Sequence, residues 1–128
     1  MMLATDSQFS DPEISWAPPD FLVELAADDS GLITELLDAF RTDTRVRLDC
    51  LRTALLQVDM AGVRRSAHSI KGAAMQLGAE RVAAVCREME LVPADTPVAL
   101  LQRSLDRLEQ YFEAVCRAME DYPQTLRH

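Results

Sequence analysis

The chain has 128 residues, of which 48% are hydrophobic and only 5% aromatic, and its formal net charge is −8 at pH 7. This length suits one domain with one core, and the four glycines and six prolines supply too few turns for an all-β fold. The negative net charge argues against binding to nucleic acids and anionic membranes. No apolar run is suited to a membrane span or a secretion signal, so we expect a cytoplasmic protein.

The N-terminal part of the chain lacks a periodic apolar pattern. Residues 1–19 contain three prolines, and we predict a flexible N-terminal arm whose Trp16 could dock onto the rest of the domain. Asp20 is predicted to cap a short helix over residues 21–27.

A cluster of N-capping residues, Asp28, Asp29 and Ser30, precedes the first long helix. After it, apolar or small residues recur every three or four positions. They are Ile33, Leu37, Phe40, Thr44, Leu48, Leu51, Leu55 and Val58. This spacing predicts an amphipathic helix of roughly 30 residues.

Three further amphipathic helices follow. The second bundle helix begins near Gly62 and ends at Gly78. The third helix runs from about Glu80 to Leu91 and is ended by Pro93. Thr96 and Pro97 start the last helix, which ends at Pro123. Their inward positions are Val63, Ala67, Ile70, Ala74 and Leu77; then Val82, Val85, Cys86 and Met89; then Leu101, Leu105, Leu108, Phe112, Val115 and Met119.

Four apolar stripes joined by short loops bury themselves best against one another. We therefore predict an all-α protein, an antiparallel (up-down) four-helix bundle with a short additional N-terminal helix. The bundle is predicted to span residues 20–121, followed by a C-terminal tail at 122–128. Since one chain supplies all four helices, a monomer suffices.

The three cysteines do not form a recognisable framework. Cys50, Cys86 and Cys116 lie 36 and 30 residues apart, and we interpret each as a buried small apolar residue in a reducing compartment. A metal or haem bundle lacks ligands, because the only histidine besides His68 is His128 and no Glu-x-x-His pair occurs. We expect no cofactor or metal bound by this chain.

The second bundle helix carries an exposed histidine in unusual surroundings. By helical geometry His68 points away from the apolar seam, and Gly72, one turn along, points almost directly away from it. A glycine inside a helix costs on the order of 1 kcal/mol relative to alanine, and no packing within the bundle would offset that cost. A missing side chain here would instead clear space beside the imidazole for a phosphoryl group and a partner's loop.

Cations surround this histidine on an otherwise acidic chain. Lys71 is the only lysine, and at i+3 its ammonium can reach an anion on the His68 ring, while Arg64 and Arg65 lie one turn before. A neutral imidazole is nucleophilic at neutral pH, and phosphoryl transfer needs mainly positioning and charge neutralisation. The pattern therefore indicates a phosphoryl-accepting histidine, although a solvated surface histidine is the ordinary alternative.

The segment His68-Ser69-Ile70-Lys71-Gly72, with Gln76, Leu77 and Gly78 after it, resembles the signature of histidine-containing phosphotransfer (HPt) domains. Ala67 before it and Val82, Cys86 and Glu90 after it fit the same pattern, and the resemblance covers about residues 20–120.

The resemblance implies a relay module of multistep two-component signalling. His68 would accept a phosphoryl group from an aspartate of one receiver domain and pass it to another, with Lys71 stabilising the phosphoryl and Gly72 leaving room for it. Gln76 would support the histidine or the partner contact. Met75 stands at a variable position of the pattern and would widen an apolar docking patch. Ala73 stands where many members carry serine. The implied partners are receiver domains of response regulators and of a hybrid histidine kinase, which would supply the Mg²⁺.

Two alternatives remain at this point. A histidine kinase dimerisation domain pairs two helices per chain and has an acidic residue after its histidine, whereas Ser69 follows His68 here. No ATP-binding domain fits in the remaining residues, so we expect a phosphoryl carrier without autonomous kinase activity. The second alternative is a helical adaptor that binds receiver or kinase domains without being phosphorylated.

Overall fold

The computed structural model describes residues 16–126, which form five helices. They are α1 (Asp20–Asp28), α2 (Ser30–Leu56), α3 (Met60–Gln76), α4 (Glu80–Leu91) and α5 (Val98–Leu126). The last four helices form the bundle, and α1 packs against α2. The predicted all-α class and the short additional helix are confirmed.

Contacts between the helices establish their directions. On one side, Arg52 pairs with Glu109 and Arg45 with Glu113, so α2 and α5 run antiparallel. On the opposite side, α3 and α4 are antiparallel, because Arg64 contacts Val92 and His68, further along α3, contacts the earlier residue Glu90. Together with the short α2–α3 and α3–α4 connections, this gives the up-down order.

Apart from Val58, the core contains the inward residues that the periodicity predicts. Among them, Ile33, Val63, Val82 and Phe112 are fully buried, and the rings of Phe40 and Phe112 lie 6.1 Å apart. Burying such side chains contributes about 1.5–3 kcal/mol each, so the seams fix how each helix is rotated about its axis. The orientation of the polar face of α3, which carries His68, follows from this rotation.

Two helix ends next to α3 have the same backbone motif. After α2, Asp59 N donates to Ala54 O and Val58 takes a left-handed φ of 54°; after α3, Ala79 N donates to Ala74 O and Gly78 has φ 74°. Both are Schellman motifs, in which glycine is the usual left-handed residue. The prediction for Gly78 is confirmed, whereas Val58 ends α2 rather than continuing its apolar stripe, and its side chain is exposed.

Three predicted helix ends are wrong. Asp20 lies inside α1, whose N-cap is Pro19 without a side-chain hydrogen bond. The Thr96 hydroxyl donates back to Pro93 O, and Pro97 rather than Thr96 precedes the first helical residue. The last helix continues past Pro123 to Leu126. The proline removes one backbone donor, but Met119 and Tyr122 just before it still pack on the bundle and hold the helix there.

The segment before α1 packs across one end of the bundle. The Trp16 indole Nε1 donates to Leu77 O at 2.7 Å, and its ring meets Tyr122 edge-on at 5.6 Å. Docking of Trp16 is therefore confirmed. The rest of the predicted arm, residues 1–15, and the last two residues of the predicted tail lie outside the described part of the chain.

Within residues 16–126, no helix is long and apolar enough to cross a membrane. The cysteines differ from one another: Cys86 and Cys116 are buried, but Cys50 is exposed on α2, so the prediction that all three are buried is wrong for Cys50. Burial raises the pKa of the Cys86 thiol to about 12 and that of Cys116 to about 11.

Candidate functional site

His68 lies at the middle of α3, on the face opposite the buried seam. Ala67 and Ile70 beside it have no exposed surface, whereas 69% of the His68 side chain is exposed. The helix is fixed in this rotation by its apolar residues, so the histidine is presented to solvent without being part of the core.

A carboxylate from the neighbouring helix anchors the imidazole. His68 Nδ1 lies 2.6 Å from Glu90 Oε2, and Glu90 is the penultimate residue of α4. An ionised carboxylate can only accept hydrogen bonds, so Nδ1 carries the proton and donates it. In the neutral ring this leaves the lone pair on Nε2, the nitrogen that no described side chain binds.

Lys71 binds the second oxygen of the same carboxylate. Its Nζ lies 2.5 Å from Glu90 Oε1, and only 24% of the lysine side chain is exposed. The ammonium of Lys71, followed by the hydrogen bond with His68, holds the pKa of Glu90 below its ordinary value although partial burial opposes this. Glu90 is therefore ionised at neutral pH and joins the two residues that the sequence analysis singles out.

Gly72 leaves open space one turn from His68. A Cβ placed on Gly72 would find no atom within 4 Å, apart from its own chain neighbours and local helix backbone. The predicted outward orientation and the lack of a packing reason are both confirmed. The surface beside the imidazole is consequently free of side-chain bulk.

The two arginines before His68 point to different places. Arg64 is partly buried, and its Nη2 donates to Val92 O at 3.2 Å, at the C-terminal end of α4. Arg65 is exposed and borders a groove between α2 and α3 that Cys50 and Thr53 also line. The phosphoryl-stabilising role suggested for both by their proximity in sequence stays a prediction.

The remaining predicted residues, Met75 and Gln76, lie on opposite sides of α3. Met75 is 65% exposed and lines a groove toward α4 together with Lys71 and Arg87. Gln76 is exposed and lines a separate groove toward α1 and α2, which contains Phe21. The structure thus brings His68, Lys71 and Met75 to the α4 side, and Arg65 and Gln76 to the α2 side.

Glu90 changes the expected electrostatics of this surface. The cations near His68 in the sequence predict a locally basic spot, but the Glu90 carboxylate offsets the charge of Lys71 in the free protein. Among residues 16–126, no group of three or more His, Cys, Asp or Glu side chains could hold a metal ion.

Glu90 is a site residue whose role the sequence alone does not predict. It lies 22 residues beyond His68 on another helix, so spacing within α3 could not reveal it. Two signals are available: Glu90 fits the HPt pattern, and it directly follows Met89, which is fully buried. A carboxylate at the edge of an apolar seam requires a polar partner, and the facing edge of α3 supplies two.

These features define a helical-bundle protein that presents a histidine whose Nδ1 contacts a carboxylate, beside a lysine and an unobstructed stretch of helix. The chain belongs to the Hpt domain family, whose model matches residues 35–122. That membership supports histidine phosphotransfer within a phosphorelay.

A solved structure has the same architecture. The chain is similar to histidine-containing phosphotransfer protein B (HptB) from Pseudomonas aeruginosa PAO1, with 30% identity and a TM-score of 0.69. The match covers 84% of this chain and 95% of that one. A comparison with curated proteins finds no significant match.

Proposed function

We propose that this protein is a phosphoryl carrier of a phosphorelay, with His68 as the acceptor. It would take the phosphoryl group from an aspartate of one receiver domain and give it to an aspartate of another. The observation that carries this proposal is the exposed His68 ring, whose Nδ1 is occupied by Glu90 while Nε2 is free.

The transfer step balances with the groups present. The Nε2 lone pair attacks the phosphorus of the aspartyl phosphate, the new N–P bond forms as the P–O bond breaks, and the aspartate leaves as a carboxylate. The Nδ1 proton stays on the ring, where Glu90 stabilises the positive charge of the phosphoimidazolium. Passing the group to a second aspartate reverses these bond changes.

Lys71 and Gly72 have complementary parts in this proposal. Lys71 can exchange its contact with Glu90 for a contact with the phosphoryl oxygens, a move that suits a flexible side chain carrying a compact charge. Gly72 gives the approaching receiver loop access to the ring. The Mg²⁺ that phosphoryl transfer requires would be held by the receiver domain.

The chain would act as a carrier rather than a kinase. Its partners would be receiver domains of response regulators and of a hybrid histidine kinase, because the site offers an acceptor but no described nucleotide-binding loop. We therefore expect no label on the chain after incubation with ATP and Mg²⁺ alone.

The direct test is incubation with a ³²P-labelled phosphorylated receiver domain. We expect label on the chain that is lost in acid and stable in base, and none on His68→Gln. If a competent receiver delivers no label, or the His68→Gln variant still takes it, the relay function is wrong and the helical adaptor that binds without being phosphorylated becomes the better description.

A further inference from the structure

The position of Glu90 within α4 poses a physical problem. Glu90 is the eleventh residue of a 12-residue helix, and the last turn of a helix has carbonyl groups without intrahelical partners and tends to fray. A frayed last turn would move the carboxylate away from both His68 and Lys71. The geometry of the site therefore depends on how the end of α4 is held.

Little in the backbone holds this end. The chain leaves α4 at Val92 in an extended conformation, with φ −69° and ψ 148°, and continues into Pro93. The described part of the chain shows no hydrogen-bonded turn of the Schellman type after α4, unlike the ends of α2 and α3. Burial of Met89, partial burial of Val92 and the ion pair between Glu88 and Arg107 of α5 hold side chains of this turn, but none of them binds a carbonyl group at its end.

Arg64 supplies the missing contact. Arg64 lies one turn before His68 on α3, and its guanidinium donates to the carbonyl of Val92. Val92 follows Glu90 by two residues. A cation at the C-terminal end of a helix is also favoured by the helix dipole. The same helix that bears the histidine thus holds the segment that bears its carboxylate.

We propose that Arg64 is a positioning residue, which acts through Val92 and Glu90 to keep the His68 ring in its Nδ1–H tautomer with Nε2 free. This inference refines the proposed function by naming a residue that prepares the acceptor without touching the phosphoryl group. It also separates Arg64 from Arg65, whose side chain is exposed beside the α2 groove.

The two adjacent arginines form a matched pair for the test. Arg64→Met keeps the length of the side chain but removes its donor, and Arg65→Met removes the same charge at the next position. The readout is the ¹⁵N spectrum of the imidazoles in the whole chain, which distinguishes the Nδ1–H and Nε2–H tautomers, with His68→Gln to assign the signals against His128.

We expect Arg64→Met to shift His68 toward a mixture of tautomers and to raise the pKa of the Glu90 carboxyl, measured by ¹³C titration. Arg65→Met should leave both unchanged, and Arg64→Lys should restore them in part because lysine can still donate to a carbonyl. In a receiver assay, Arg64→Met should slow phosphorylation roughly three- to tenfold, and this loss should disappear in a Glu90→Ala background.

The inference is overturned if Arg64→Met has the wild-type tautomer, or if Arg65→Met changes the spectrum equally, since the effect would then be one of general charge. If Arg64→Met does not fold, Arg64→Leu, which also lacks a donor, takes its place with the same two outcomes. The tautomer is read without any phosphoryl donor, so a failed relay assay would not affect this result.

Discussion

The glycine beside His68 makes the sharpest prediction about stability and function together. Gly72→Ala places a methyl group where no atom lies within 4 Å, so it adds no clash. Alanine is favoured over glycine inside a helix by about 0.5–1 kcal/mol, chiefly because glycine loses more backbone entropy on folding. We expect Gly72→Ala to raise the free energy of unfolding by about that amount and Tm by roughly 2–5 °C.

Gly62 provides the opposite result in the same helix. A Cβ on Gly62 would clash with the Asp59 carboxylate and approach Ala54 Cβ at 3.1 Å. Asp59 is the N-cap of α3 and accepts a hydrogen bond from Gly62 N at 3.0 Å, so the clash would disturb the cap. We expect Gly62→Ala to destabilise the protein by about 1–2 kcal/mol.

Thermal and urea unfolding followed by circular dichroism measures both variants. Gly72→Gln completes the series: its side chain should also stabilise the helix slightly, yet it should block phosphorylation by a receiver because it fills the space beside the imidazole. A destabilised Gly72→Ala, or Gly72→Gln that accepts phosphoryl as fast as wild type, would refute the argument that Gly72 is kept for access rather than folding.

Four further outcomes follow from the structure. Lys71→Ala should slow phosphorylation by a receiver roughly 10- to 100-fold, and a wild-type rate would contradict its role. The same change should lower the free energy of unfolding in urea by about 1 kcal/mol, since the lysine is largely buried against Glu90. Because the folded-state pKa of Glu90 lies below its unfolded value, its stabilising contribution is present above the unfolded pKa and is lost as pH falls through the folded pKa. Glu90→Gln should therefore weaken the acid dependence of Tm, and an unchanged dependence would oppose this. In native protein a thiol reagent such as DTNB should modify Cys50 quickly and the buried Cys86 and Cys116 only on unfolding, and three equally fast thiols would contradict the burial. Val58→Gly should stabilise the protein by about 1 kcal/mol in urea unfolding, since φ 54° strains a β-branched side chain; a loss of stability would show that the strain is absent.

The bundle could be predicted because its signal is local and repeated. Residues such as Ala67 and Ile70 recur at helical spacing, and periodicity over many turns leaves one consistent way to bury them. The errors fall at helix ends, where single interactions decide. Val58 takes a position typical of glycine, and Pro123 is accommodated inside α5, neither of which composition or spacing could reveal.

The candidate site was predictable only where it lies on one helix. The exposure of His68 and the open position of Gly72 follow from the angular geometry of α3 alone. The contact with Glu90 joins residues 22 positions apart on different helices, and the contact of Arg64 with Val92 O joins residues 28 apart. Such contacts depend on the relative placement of α3 and α4, which the sequence pattern does not specify.

We propose that His68 accepts the phosphoryl group on Nε2 because Glu90 holds Nδ1. The most direct measurement is ³¹P NMR of the chain after phosphorylation by a receiver domain, combined with mass spectrometry of the modified peptide. We predict one phosphoryl group, on the Nε2 of His68, and none on the His68→Gln variant. A phosphoryl group on Nδ1, or on any other residue, would contradict the account.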